Sequence, residues 1–218
     1  MQSYLQSRGS LQRIWDLPVR TFHILLIICI AGAWLTSEED NWRQVHMAFG
    51  FSAALLVLFR ILWGFIGSRR ARFNSFVKSP VVAWQYLKSH FSGKLMRFAG
   101  HNPAGGLAVL ALLGMVLLTV ASGWFAYQKN AAEEIEDLHE VIANALFIVI
   151  GVHVIAVLLT SWLHRENLPR AMITGYKLGL PGEGIEHTYA WVAVLLAITV
   201  ILFGLAVYAD LIPILTAK

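Results

Sequence analysis

The run Leu138–His164, LHEVIANALFIVIGVHVIAVLLTSWLH, decides how the rest of the chain is read. It is apolar over a length that crosses a hydrocarbon core of about 30 Å as a helix. It nevertheless carries two histidines, His139 and His153, fourteen residues apart. At about 100° of turn per residue this spacing returns to within about 40° of the same face and separates the imidazoles by about 21 Å along the axis. An imidazole in lipid is costly and marks a ligand, a relay or an ion path. The separation suits two stacked sites, so each histidine needs a partner from elsewhere in the chain.

Composition places that run in a membrane protein. Of 218 residues, 57% are hydrophobic and 14% charged, and the mean hydropathy of +0.62 is too high for a solvated domain. Five stretches are long and apolar enough to span: residues 18–36, 44–66, 103–127, 138–163 and 188–210. No repeat, low-complexity tract, phosphate loop or nucleic-acid motif interrupts them.

The basic residues set the expected orientation. Arg8, Arg13 and Arg20 precede the first span; Arg69, Arg70, Arg72, Lys78, Lys88, Lys94 and Arg97 follow the second; Arg165, Arg170 and Lys177 follow the fourth. The alternate loops hold Glu38, Glu39, Asp40 and Arg43, then Lys129, Glu133, Glu134, Glu136 and Asp137. The positive-inside rule makes the basic side cytoplasmic, with the N-terminus in and the C-terminus out. The pI near 9.4 then reflects topology and anionic lipid rather than nucleic acid. Trp15, Trp63, Trp162 and Trp191 fall at the inner edge and Trp34, Trp42 and Trp124 at the outer one, as interfacial belts. The first span also resembles a secretory signal ending at Ala31-Gly32-Ala33, but its long arm and its continuation to Trp34 favour a retained helix. Cys29, the single cysteine, reads as a packing residue. There is no C-x-x-C-H, so any haem is held by side-chain ligands alone.

Between the second and third spans, Ser79-Pro80 signals a helix start, and Val81, Trp84, Leu87 and Phe91 recur at helical spacing. This predicts an amphipathic helix on the inner surface. Asn102-Pro103 starts the third span in the same way. In the fifth, Ala190, Ala193, Ala197 and Gly204 form a small-residue stripe suited to close packing, and homodimerisation is open.

Depth now pairs the histidines. His46 enters the second span from the outer side, at the level of His139, and His23 enters the first from the inner side, at the level of His153. Two bis-imidazole sites follow, each offered by two helices. Axial imidazoles saturate a haem iron and suit electron transfer. Zinc would need three or four ligands, and neither level supplies a cysteine or a carboxylate set. Gly50, one turn beyond His46, leaves room for a flat ring or serves helix packing. Arg60 at the inner level can pair with a haem propionate or snorkel, and Arg43 can do the same outside or remain a loop charge. His90, His164 and His187 read as solvated. His101 either flanks a helix start or approaches the inner haem edge or a quinone.

The runs Trp15-Asp16-Leu17-Pro18-Val19-Arg20-Thr21-Phe22-His23, Arg60-Ile61-Leu62-Trp63-Gly64-Phe65-Ile66-Gly67 and Gly100-His101-Asn102-Pro103-Ala104-Gly105-Gly106-Leu107 resemble the bacterial cytochrome b561 family. His139-Glu140 through His153, with Ala171-Met172-Ile173-Thr174-Gly175-Tyr176-Lys177, resembles its branch of nickel-iron hydrogenase cytochrome b subunits. The resemblance covers about residues 13–180. It implies a four-helix core with two b-type haems that carries electrons across the cytoplasmic membrane and commonly exchanges them with quinone. The family's ligand positions correspond to His23, His46, His139 and His153.

The expected fold is an all-α integral membrane protein: a four-helix di-haem bundle, a fifth transmembrane helix and an inner-surface amphipathic helix. Residues 1–180 form the haem-binding domain and 181–218 the addition, on which the resemblance is silent. The expected partners are membrane lipid, quinone and a periplasmic c-type cytochrome or peripheral redox subunit, the acidic outer loops suiting a basic protein. Two other functions remain open: a haem-containing anchor for a peripheral redox enzyme, and a histidine-relay proton or ion transporter.

Overall fold

A computed structural model describes residues 10–91, 96–128 and 132–212, without the side chains of residues 90 and 91. Arg8, Lys94, Lys129 and the side chain of His90 therefore lie outside the described residues. Eight α-helices and two short strands follow in the order β1 (Ser10–Arg13), α1 (Leu17–Leu35), α2 (Arg43–Ile66), α3 (Phe73–Phe76), α4 (Pro80–Phe91), α5 (Pro103–Ala126), α6 (Glu133–His164), α7 (Leu168–Thr174), β2 (Tyr176–Gly179) and α8 (Ala190–Tyr208). A 3-10 turn, Asp40–Trp42, leads into α2. Five of these helices are long and apolar enough to cross a membrane, and they coincide with the five expected spans. Their outward apolar side chains, such as Ile148, Val152 and Ile155 on α6, are exposed, as a lipid solvent permits.

The chain forms two compact units whose boundaries fall near the ends of some helices and inside others. The first comprises Met1–Arg20, Leu62–Leu110 and Val152–Ala190. Its centre is Asp16, which is 1% exposed. As N-cap of α1 it accepts the Val19 backbone N–H at 2.8 Å through Oδ1, while Oδ2 accepts from the Trp63 indole at 3.0 Å and from Ser68 Oγ at 2.5 Å. Three donors satisfy a carboxylate that would otherwise be costly to bury. Trp63 at the end of α2 closes tightly: a Cβ on Gly67 would stand 2.4 Å from its carbonyl oxygen.

One expectation for this unit fails. It is not all helix, because β1 and β2 pair antiparallel from Ser10 opposite Gly179 to Arg13 opposite Tyr176. The pairing arises because Gly175 adopts φ +86° as the cap of α7 and turns the chain back, its carbonyl accepting from the backbone N–H groups of Ile14 and Trp15. Trp15 and Trp63 are also corrected: at 8% and 7% exposure they are core residues rather than interfacial belts, whereas Trp34, Trp42, Trp162 and Trp191 are exposed.

The basic residues of this unit make defined contacts within it. Arg20 donates to the carbonyls of Met172 and Ile173. Arg69 donates to those of Gly182 and Gly184, and Arg70 to that of Glu183. Lys177 pairs with Glu166 at 3.0 Å and also donates to the Phe98 carbonyl, and Arg97 closes on the same carboxylate at 2.8 Å. The amphipathic α4 buries Ala83 and Tyr86 and exposes Val81, Trp84 and Leu87. Burial raises the Tyr86 phenol above its ordinary range, against a hydrogen bond to Asn102 that lowers it.

The second unit comprises Thr21–Ile61, Ala111–Gly151 and Trp191–Lys218. Apolar packing dominates it. Met47, Tyr127 and Val207 form a core with Ala48, Phe51, Phe203 and Ile212. The buried stripe of α8 is Ala193, Leu196, Val200 and Val207, so the expected small-residue stripe holds only in part; Ala190 is exposed. Gly204 is a true contact, since a Cβ there would stand 2.9 Å from Ser52 Oγ on α2. Cys29 is buried, as a packing residue would be.

Candidate functional site

Two of the four paired histidines meet in the second unit. His46 stands one turn into α2, and His139 lies in the second turn of α6. Their ring centroids are 6.3 Å apart and the planes are crossed at 89°. With imidazole–metal bonds of about 2.0 Å, that distance leaves room for one metal atom held by a nitrogen of each ring.

The hydrogen bonds decide which nitrogens those are. His46 Nδ1 lies 2.8 Å from the Ala33 carbonyl of α1. A carbonyl only accepts, so Nδ1 carries the proton and Nε2 keeps its lone pair. His139 Nδ1 lies 3.0 Å from Ser122 Oγ of α5. With the Ser122 hydroxyl donating to the Thr119 carbonyl at 2.9 Å, its oxygen is placed to accept from His139 Nδ1–H, the tautomer that leaves Nε2 available. Both rings thus have one tethered nitrogen and one nitrogen free to ligate, as is usual for metal-binding histidines.

Glycines shape the surroundings. At Gly123 a Cβ would stand 2.8 Å from His139 Cε1, so α5 can pass the ring only without a side chain there. At Gly50 no atom lies within 4 Å of a would-be Cβ. No described neighbour packs closely against Gly50. Trp124, next to Gly123, buries its indole N–H with no acceptor among the described residues, a donor suited to an oxygen-bearing group. An apolar cleft of about 320 Å³ lies between α5 and α6, with Ser122 as its one polar lining residue.

The remaining site residues are placed as follows. His23 lies on α1 in the second unit and His153 on α6 in the first, both half-buried. Arg60 is 2% exposed, so it does not snorkel. Arg43 begins α2 and stacks over the Tyr127 ring at 4.8 Å. His101 is held edge-on by Trp15 at 4.7 Å and tilted on Phe76 at 4.5 Å, beside the Asn102 cap of α5. His187 is exposed beside Tyr189, and His164 is half-buried rather than solvated. Glu38, Glu39, Asp40, Glu133, Glu134, Glu136 and Asp137 are all exposed in the second unit. Among the described residues, no three of His, Cys, Asp and Glu gather as a metal cluster. The sequence reading missed Ala33, Thr119, Ser122 and Gly123. Only Thr119-x-x-Ser122-Gly123, small and polar on an apolar helix, left a readable trace.

Residues 14–175 match the family model described as prokaryotic cytochrome b561. The probable Ni/Fe-hydrogenase B-type cytochrome subunit of Azotobacter vinelandii is 24% identical over 212 aligned positions, covering 76% of this chain and 88% of the relative. The probable Ni/Fe-hydrogenase 1 B-type cytochrome subunit of Escherichia coli (strain K12) is 24% identical over 149, covering 54% and 61%. The subunit of Rhizobium leguminosarum bv. viciae is 20% identical over 212, covering 76% and 88%. No solved structure matches the chain.

Proposed function

The chain belongs to the prokaryotic cytochrome b561 family, and from that premise we propose that it is a di-haem electron carrier of the cytoplasmic membrane, exchanging electrons between the quinone pool and a redox partner. The observation that carries the reading is the crossed His46–His139 pair with both Nδ1 atoms tethered. Those residues fit a haem: two imidazoles, a bare backbone at Gly50 and a spare indole donor at Trp124. His46 and His139 would hold the group, which would supply one-electron chemistry there.

We assign His46 and His139 to one haem and His23 and His153 to the other, with Arg43 and Arg60 as cations for propionates. The chain's own residues fix the tautomers, hold the rings and exclude water. Residues 1–180 act as the haem-binding domain and 181–218 as a packing addition. The basic segments face the cytoplasm, with the C-terminus on the periplasmic side.

The relatives' names suggest a peripheral hydrogenase-like enzyme as partner. The exposed acids of the second unit would attract a basic surface on such an enzyme or on a c-type cytochrome, although the acids of the first turn of α6 also suit its helix dipole. A histidine proton relay fits less well, because the Ala33 carbonyl accepts a hydrogen bond but cannot pass a proton on.

The test is reduction of the purified chain, in proteoliposomes, by a short-chain quinol. Haems reduced by both quinol and dithionite support the reading. Haems that dithionite reduces but quinol leaves oxidised would remove the quinone from it, and the absence of any haem band would remove it altogether.

A further inference from the structure

We propose that Ser122 is a positioning residue that tunes His139 as an axial ligand, through an ordered chain from His139 Nδ1–H to Ser122 Oγ and from the Ser122 hydroxyl to the Thr119 carbonyl. The inference rests on the haem assignment of His46 and His139 given above. With Nε2 as the ligating nitrogen, Nδ1 carries the proton and fixes the direction: Ser122 Oγ accepts from the imidazole at 3.0 Å and its own proton goes to the Thr119 oxygen at 2.9 Å. Ser122 is itself only 8% exposed, so water does not readily substitute for it.

Accepting a hydrogen bond from Nδ1–H makes the imidazole a stronger electron donor through Nε2. A stronger donor favours ferric over ferrous iron and lowers the potential. The two ligands of this site differ in one useful respect. The acceptor for His46 is a main-chain carbonyl that no side-chain replacement removes, whereas the acceptor for His139 is a hydroxyl that one substitution deletes. Gly123 keeps the ring against α5, so the contact is built into the packing.

The experiment is a redox titration of the full chain carrying Ser122→Ala, Ser122→Cys or Ser122→Thr, followed by haem absorbance and low-temperature EPR. Ser122→Ala should raise one midpoint potential and shift its EPR signature, leaving the other haem at its parental value. Threonine should restore the parental value, and cysteine, a weaker acceptor, should fall between. This order follows acceptor strength and not side-chain volume. Unchanged potentials in Ser122→Ala, or equal shifts in the alanine and threonine variants, would overturn the proposal. If alanine loses the haem, retention in threonine supports the proposal and loss in both overturns it. A parental protein without haem would instead sink the haem reading itself, and an intact parent with a silent alanine variant would sink the Ser122 role alone.

Discussion

The two units of this chain are held by different forces. In the first, a buried carboxylate accepts three hydrogen bonds, and arginines and a lysine reach backbone carbonyls and Glu166. In the second, aliphatic and aromatic side chains supply the core, and two histidines are held by hydrogen bonds to Ala33 and Ser122. The motifs that carry the family resemblance fall mostly in the first unit. Asp16 meets Trp63 and Ser68, Trp15 meets His101, and Arg20 meets the carbonyls beside Gly175. The part of the fingerprint that lies in the first unit is therefore largely a structural knot, while His46, Ala33 and Ser122 of the proposed site lie outside every quoted motif.

Breaking the polar unit should have the largest effect. Asp16→Ala removes the cap of α1 and strands the Trp63 and Ser68 donors, at about 1–3 kcal/mol for each buried unsatisfied group and about 1 kcal/mol for the cap. Thermal unfolding in detergent should show a loss of about 3–7 kcal/mol, with Asp16→Asn retaining part of it. A loss below about 1 kcal/mol would mean that the knot is not what holds this unit.

Gly123→Ala attacks the apolar unit at its site. The new methyl would stand 2.8 Å from His139 Cε1, and overpacking of this kind costs about 1–3 kcal/mol. The expected result is loss or marked spectral change of one haem while the other keeps its bands. Two unaltered haems would show that the ring has room to give.

The smallest effect belongs to α8. Gly204→Ala presses on Ser52 Oγ and should cost about 1 kcal/mol, with haem spectra unchanged if this helix only packs. Altered haem bands would give the fifth span a part in the site.

What the sequence disclosed follows from which forces act locally. Hydropathy located all five spans, because lipid imposes one length and one composition on each. It began the fourth too late: Glu133, Glu134 and Glu136 are polar, yet they suit a helix N-terminus and α6 starts with them. The β1–β2 ribbon had little local signal, since Arg13 and Tyr176 are far apart in the chain and each strand is only four residues long. The short α7 did have one: Asn167 caps it, Pro169 follows in its first turn and Gly175 ends it. At the site, spacing found the histidines because imidazole is rare in lipid. It could not find Ala33, whose contribution is a main-chain oxygen and carries no side-chain identity.

The most direct test of the central claim is the number of haems per chain, by pyridine haemochrome and protein assay, in the parent and in His46→Ala, His139→Ala, His23→Ala and His153→Ala. The account predicts two b-type haems in the parent. It predicts loss of the same haem, identified by its band position and potential, from the His46 and His139 variants, and loss of the other from the His23 and His153 variants. A parent without haem, or variants at His46 and His139 that insert normally and keep both haems, would contradict it.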